Sequence, residues 1–192
     1  MEYKWLLFCS QLPPTPSSPR VMVWRRMHSA GSVSLDNGLW VLPYNEESEK
    51  LIQEIKGYVE RQAGSVKVFL ANSLDDRTEA EILDRFRHDR SEEYAEIDEQ
   101  CQDFLAEIDK ETKRQNFSFA EYEENEQDLV KLEGWFAKVQ RRDFLSEDRS
   151  KETMAWLEKC RVELQKFAIE VFNHEDYERP DKMQKNPENN DH

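Results

Sequence analysis

Residues 3–43 read YKWLLFCSQLPPTPSSPRVMVWRRMHSAGSVSLDNGLWVLP, and the order of apolar runs and turn residues in this stretch decides the fold. Trp5, Leu6, Leu7 and Phe8 are almost continuously apolar, the pattern of a central strand covered on both faces, so a first strand is expected over 4–12. Pro13, Pro14 and Pro16 force an extended exit. Ser18 can cap a helix whose first position, Pro19, loses nothing by lacking an N–H. That helix is expected to run to Ala30 and stop at Gly31. Val21, Trp24 and His28 share one stripe of it, with Val23 and Met27 beside them. Two short strands, 32–36 and 39–43, flank Asp36-Asn37-Gly38, and Asn-Gly between apolar runs is a strong hairpin signal.

Working outward, Asn45 caps a second helix with Glu46 and Glu47 near its positive end. Leu51, Ile52, Ile55, Tyr58 and Val59 form its apolar stripe, and Gly64 closes it. Residues 66–71, VKVFLA, supply a fourth strand. The order βαββαβ, with two right-handed crossovers and one hairpin, predicts an α+β, ferredoxin-like sandwich over 1–76. Its helices would cover one face of the sheet. The other face must then pair with another copy or be covered by the C-terminal part of the chain.

Residues 77–174 are expected to form a long-helix bundle extension of about three helices. Thr78 with Glu81, and Ser118 with Glu121, form capping boxes. Ile82, Phe86, Tyr94, Ile97, Cys101, Phe104, Leu105 and Ile108 keep a helical period, although Arg87 to Glu93 has no strong apolar residue and leaves room for a break. Leu129, Leu132, Trp135, Phe136 and Val139 make a second stripe, and Met154, Leu157, Cys160, Leu164, Phe167 and Val171 a third. Residues 175–192 lack large apolar groups and read as a disordered acidic tail.

The net charge of −14 is unevenly spread. Residues 1–76 carry eight Lys/Arg and nine Asp/Glu, whereas 77–192 carry nineteen and thirty-two. The second half repels phosphate backbones unless its cations gather on one face. Cys9, Cys101 and Cys160 are far apart and form no CxxC, the usage of buried apolar positions in a reducing compartment. The apolar run at 5–9 is too short to span a bilayer and lacks a signal peptide's basic leader and cleavage site, so a soluble, cytoplasmic protein without membrane contact is expected.

Four patterns in order carry a family resemblance: Trp5-Leu6-Leu7 with Gln11-Leu12-Pro13-Pro14; Arg20-Val21 with Val23-Trp24-Arg25-Arg26; Gly38-Leu39-Trp40-Val41-Leu42-Pro43; and Arg142-Asp143-Phe144 before a final amphipathic helix. Over roughly residues 4–172 the chain resembles the N-terminal region of the chromate-resistance regulator family ChrB. The resemblance implies a bacterial, cytoplasmic protein linked to chromate resistance and to control of a chromate-efflux operon. The partners it implies are a second copy of the chain, a separate ChrB C-terminal-like protein, promoter DNA or chromate. The longest members carry a second, C-terminal domain tied to chromate response, for which this chain leaves no room. The first 72 residues are more distantly similar to the ferredoxin-like domain of PaaX-type repressors. Small CRISPR-associated nucleases share that architecture, but their acidic residue at the end of the first strand is replaced here by Cys9-Ser10-Gln11-Leu12.

Arg20, Arg25 and Arg26 share the first helix and can donate forked hydrogen bonds to a phosphate or another oxyanion. The helix start at Ser18-Pro19-Arg20 adds N–H groups that favour an anion. The competing reading pairs these arginines with carboxylates of the acidic helices. Trp24 can stack on a base, but its place on the stripe favours core. Arg141 and Arg142, with Lys138, can form a basic patch for DNA or a partner, or simply complement a helix C-terminus. No catalytic constellation, metal-ligand spacing or phosphate loop is recognisable, and no cofactor is expected. Together with the resemblance, these residues favour a non-enzymatic regulatory or accessory protein of chromate resistance acting in transcription through dimer or partner assembly; the alternative is an oxyanion (chromate)-binding or chromate-handling protein that does not bind DNA.

Overall fold

A computed structural model describes residues 3–35, 38–145 and 148–178. Its elements are β1 (Trp5–Gln11), α1 (Ser18–Ser29), β2 (Val33–Leu35), β3 (Leu39–Pro43), α2 (Glu46–Arg61), β4 (Ser65–Ala71), α3 (Asp76–Arg114), α4 (Phe119–Arg142) and α5 (Arg149–Glu178). The four strands form one antiparallel sheet in the order β2-β3-β1-β4. This is the ferredoxin-like arrangement with a helical extension after it. Leu35 pairs with Leu39 across the expected hairpin, whose residues Asp36 and Asn37 lie outside the described residues.

Two compact units divide the chain: Met1–Glu93 with Val139–Glu147, and Tyr94–Lys138 with Asp148–His192. In the first unit, Leu6, Phe8 and Leu42 on one sheet face meet Val23 and Met27 of α1 and Ile52, Ile55 and Val59 of α2. The opposite face buries Trp5, Val33 and Val41 under Ile82 and Phe86 of α3, with Phe144 and Leu145 beside them. That face is therefore covered by the chain's own later residues. The expected boundary of the sheet domain is residue 76, but α3 as far as Glu93 belongs to its compact unit, because Ile82 and Phe86 roof the sheet.

Several local expectations shift. The first helix is capped at Ser17, which makes no side-chain cap, and its buried positions are Pro19, Val23 and Met27. This i, i+4, i+8 row turns Trp24 outward to 52% exposure, so the indole is not core. Asn45 caps α2 as expected, in a reciprocal capping box with Ser48. Ala63, at φ 56°, is the left-handed residue after α2, one position before Gly64. Asp75 rather than Thr78 caps α3: its carboxylate accepts the Thr78 N–H at 2.8 Å. That hydrogen bond is the first cause holding the Asp75 carboxyl below its usual range. No break occurs at Arg87–Glu93, because Arg90 and Glu93 occupy inward positions of the α3 stripe as an ion pair.

Gly31 ends α1 at φ 75°, and a Cβ placed there would lie 2.8 Å from Arg142 Cβ. Gly31→Ala therefore combines a left-handed backbone with overpacking, together about 2–4 kcal/mol of lost stability. Urea unfolding should show a lower midpoint with an unchanged slope; an unaltered midpoint would contradict this contact.

In the second unit, Tyr94, Ile97, Cys101, Phe104 and Ile108 of α3 are buried, as are Leu129, Leu132 and Phe136 of α4 and Leu157, Cys160, Leu164, Phe167 and Val171 of α5. Tyr94 meets Phe136 at 6.0 Å between ring centres, and the Cys160 thiol reaches the Cys101 carbonyl at 3.5 Å. Cys101 and Cys160 are buried free thiols, whereas Cys9 is partly exposed. Helix α5 continues to Glu178, into the stretch expected to be tail; the remainder of that stretch lies outside the described residues.

Candidate functional site

With Pro19, Val23 and Met27 turned into the core, α1 presents Arg20, Val21, Met22, Trp24, Arg25 and His28 to solvent. Beside it, the end of β1 contributes Ser10, and Leu12 comes from the segment after that strand. Together with Arg20, Val21, Val23, Trp24 and Trp40 they line an open groove of about 370 Å³. Its walls are mainly apolar. The Trp24 ring stacks on His28, 5.1 Å between centres. The Arg20 guanidinium is anchored by donating to the Pro14 carbonyl at 2.6 Å, which leaves further donors of its fork open.

The six residues nominated from sequence do not converge on one point. Arg20 and Trp24 meet at the groove, and Arg25, one position further, is exposed without an ion pair among the described residues. Arg26 instead reaches Glu54 of α2 at 2.5 Å, so its charge is balanced within the fold. Arg142 grips Glu93, its Nε 3.1 Å from Oε2 with a second, shorter contact between Nη2 and Oε1. It packs at the Gly31 end of α1, opposite the Arg20 end, and its role there is internal. Arg141 is exposed. The helix start is poorer in donors than expected: Pro19 has none, and the Arg20 and Val21 N–H groups both donate to the Ser17 carbonyl.

Ser10 and Leu12 line the groove although neither was nominated from sequence. The signal was the Gln11-Leu12-Pro13-Pro14 run, which stops the strand and turns the chain along α1. No group of three or more His, Cys, Asp or Glu side chains among the described residues is placed to hold a metal.

The family profile "Protein ChrB, N-terminal" matches residues 20–178. The chain belongs to the ChrB N-terminal family. Protein ChrB of Cupriavidus metallidurans is 33% identical over 95 residues, which is 50% of this chain and 29% of that relative. No solved structure matches. The matched span of the ChrB family contains the whole nominated set, from Arg20 to Arg142. No described helix is long and apolar enough to cross a membrane.

Proposed function

We propose that this chain is a non-enzymatic regulatory or accessory protein of chromate resistance, acting in bacterial cytoplasm on the transcription of its own operon through an assembled form. The observation that carries this reading is the outward face of α1, where Arg20 and Trp24 line a mainly apolar groove and Arg25 is exposed beside them. Two guanidinium groups with an exposed indole suit a phosphate backbone beside a stackable base. The alternative, capture of free chromate, is less well supported by the same groove. A dianion entering it would exchange its hydration for one anchored guanidinium and apolar walls.

A mobility-shift titration on the upstream DNA, with and without chromate, tests the reading. Arg20→Ala/Arg25→Ala is expected to weaken binding at least tenfold and to lower the salt slope by about 2, one phosphate contact per arginine. Arg26→Ala should change little, because Glu54 already holds that charge. Wild-type affinity in the double variant would remove α1 as the contact. Chromate-dependent thermal stabilisation without DNA affinity would favour the alternative.

A further inference from the structure

The sheet has two edges of unequal character. Strand β2 is three residues long, whereas β4 runs for seven, SVKVFLA, with no proline and one charge. Its outer side makes no backbone hydrogen bond to another described segment. Phe69 and Leu70 point to opposite faces, and each is more than half exposed; Leu74, just beyond, is 99% exposed. A long, flat edge with bare apolar residues on both sides is a template for another strand.

We infer that the outer edge of β4 is the homodimer interface of this protein, pairing antiparallel with β4 of a second copy. This surface is the assembly step of the regulatory reading above and rests on it. Three observations select a second copy as the occupant. First, a two-fold axis at Val68 engages all seven residues: Ser65 faces Ala71, Val66 faces Leu70 and Lys67 faces Phe69 of the other copy. Exposed Leu70 then meets Val66, apolar with apolar, and the Lys67 ammonium meets the Phe69 ring. Second, antiparallel pairing sets the two ends of the edge against each other. Exposed Arg61 before β4 then approaches exposed Asp75 and Asp76 beyond it in the other copy. Third, residues 1–76 carry eight Lys/Arg against nine Asp/Glu, so the edge sits in the nearly neutral part of the chain, where self-repulsion is least.

The two-fold axis stands perpendicular to the sheet, so the pairing makes one eight-stranded sheet with α1 and α2 of both copies on the same face. Arg20 and Arg25 of both copies then face the same side, which a single copy cannot achieve.

Sedimentation velocity of the full chain without DNA tests this. The wild type is expected to sediment as a dimer at micromolar concentration. Phe69→Lys/Leu70→Lys is expected to raise the dimer dissociation constant by about 100-fold or more, since the new charge at 69 faces Lys67 of the other copy and the one at 70 faces Val66. Its circular dichroism and melting should match the wild type in the monomer range, because both side chains are exposed in the single chain. Trp24→Ala should remain dimeric. A monomeric wild type, or a dimer lost with Trp24→Ala but kept in the Phe69/Leu70 variant, would overturn the inference. A dimer that depends on β4 but has no DNA affinity supports the inference and defeats the proposed function. DNA affinity in a wild type that sediments as a monomer does the reverse.

Discussion

Trp5→Ala is expected to destabilise the protein by about 3–5 kcal/mol, a large share of the stability of an ordinary domain. Trp5 is 1% exposed at the centre of the sheet face that α3 covers. Its ring stacks on Phe86 at 5.6 Å and 9°, and on Tyr3 at 5.4 Å, and meets Phe144 edge-on at 6.3 Å. Its indole N–H donates to Glu79 Oε2 at 2.8 Å, and the Ser73 hydroxyl shares that oxygen. Alanine removes the largest side chain of this cluster and withdraws a donor from a carboxylate whose other oxygen, Oε1, is buried without a partner. Trp24→Ala, at an exposed site in the same 41-residue stretch, should stay within about 0.5 kcal/mol of wild type. Urea unfolding monitored by far-ultraviolet circular dichroism compares the two. Equal midpoints would mean that the second sheet face is not a packed core.

The contrast between these tryptophans shows where the fold was legible. Trp5 opens the continuously apolar run Trp5 to Phe8, and a strand covered on both faces is the physical meaning of such a run. The ferredoxin-like class came from the βαββαβ order with its crossovers and hairpin, and the Asn45 cap from local chemistry. The rotation of α1 was not legible, because Val21, Met22, Val23 and Trp24 are consecutive and a 12-residue helix can bury either side. Pro19 and Met27 settle it by extending the Val23 row along the core. The site was less legible than the fold. Arg20, Arg25 and Arg26 look alike in sequence, and only the position of Glu54 on α2 separates Arg26 from the others.

The apparent gap in the α3 stripe at Arg87–Glu93 hid a second kind of core, and it supports the other large prediction. Arg90 is 6% exposed, and Glu93 and Arg142 side chains are 14% exposed. One carboxylate thus serves two arginines. Arg90 Nη1 lies 2.9 Å from Glu93 Oε2 but off the line of its N–H, so this contact is an ion pair without an aligned hydrogen bond. Burial is the largest influence on Arg90 and lowers its pKa, with Glu93 opposing that shift and Arg142 reinforcing it. Glu93→Gln should therefore cost about 3–5 kcal/mol, because it leaves two cations in low dielectric without their shared counter-charge. The loss should persist at high salt, where exposed pairs such as Arg77–Glu81 contribute nothing measurable. Replacing the trio together, Arg90→Met/Glu93→Leu/Arg142→Met, should recover most of the loss, since apolar side chains of similar volume avoid the desolvation cost altogether. If the single variant costs no more than a surface substitution, the cluster is solvated and does not tie α3 to the end of α4. If the triple variant is as unstable as the single one, the arginines contribute packing or hydrogen bonds that charge balance alone does not describe.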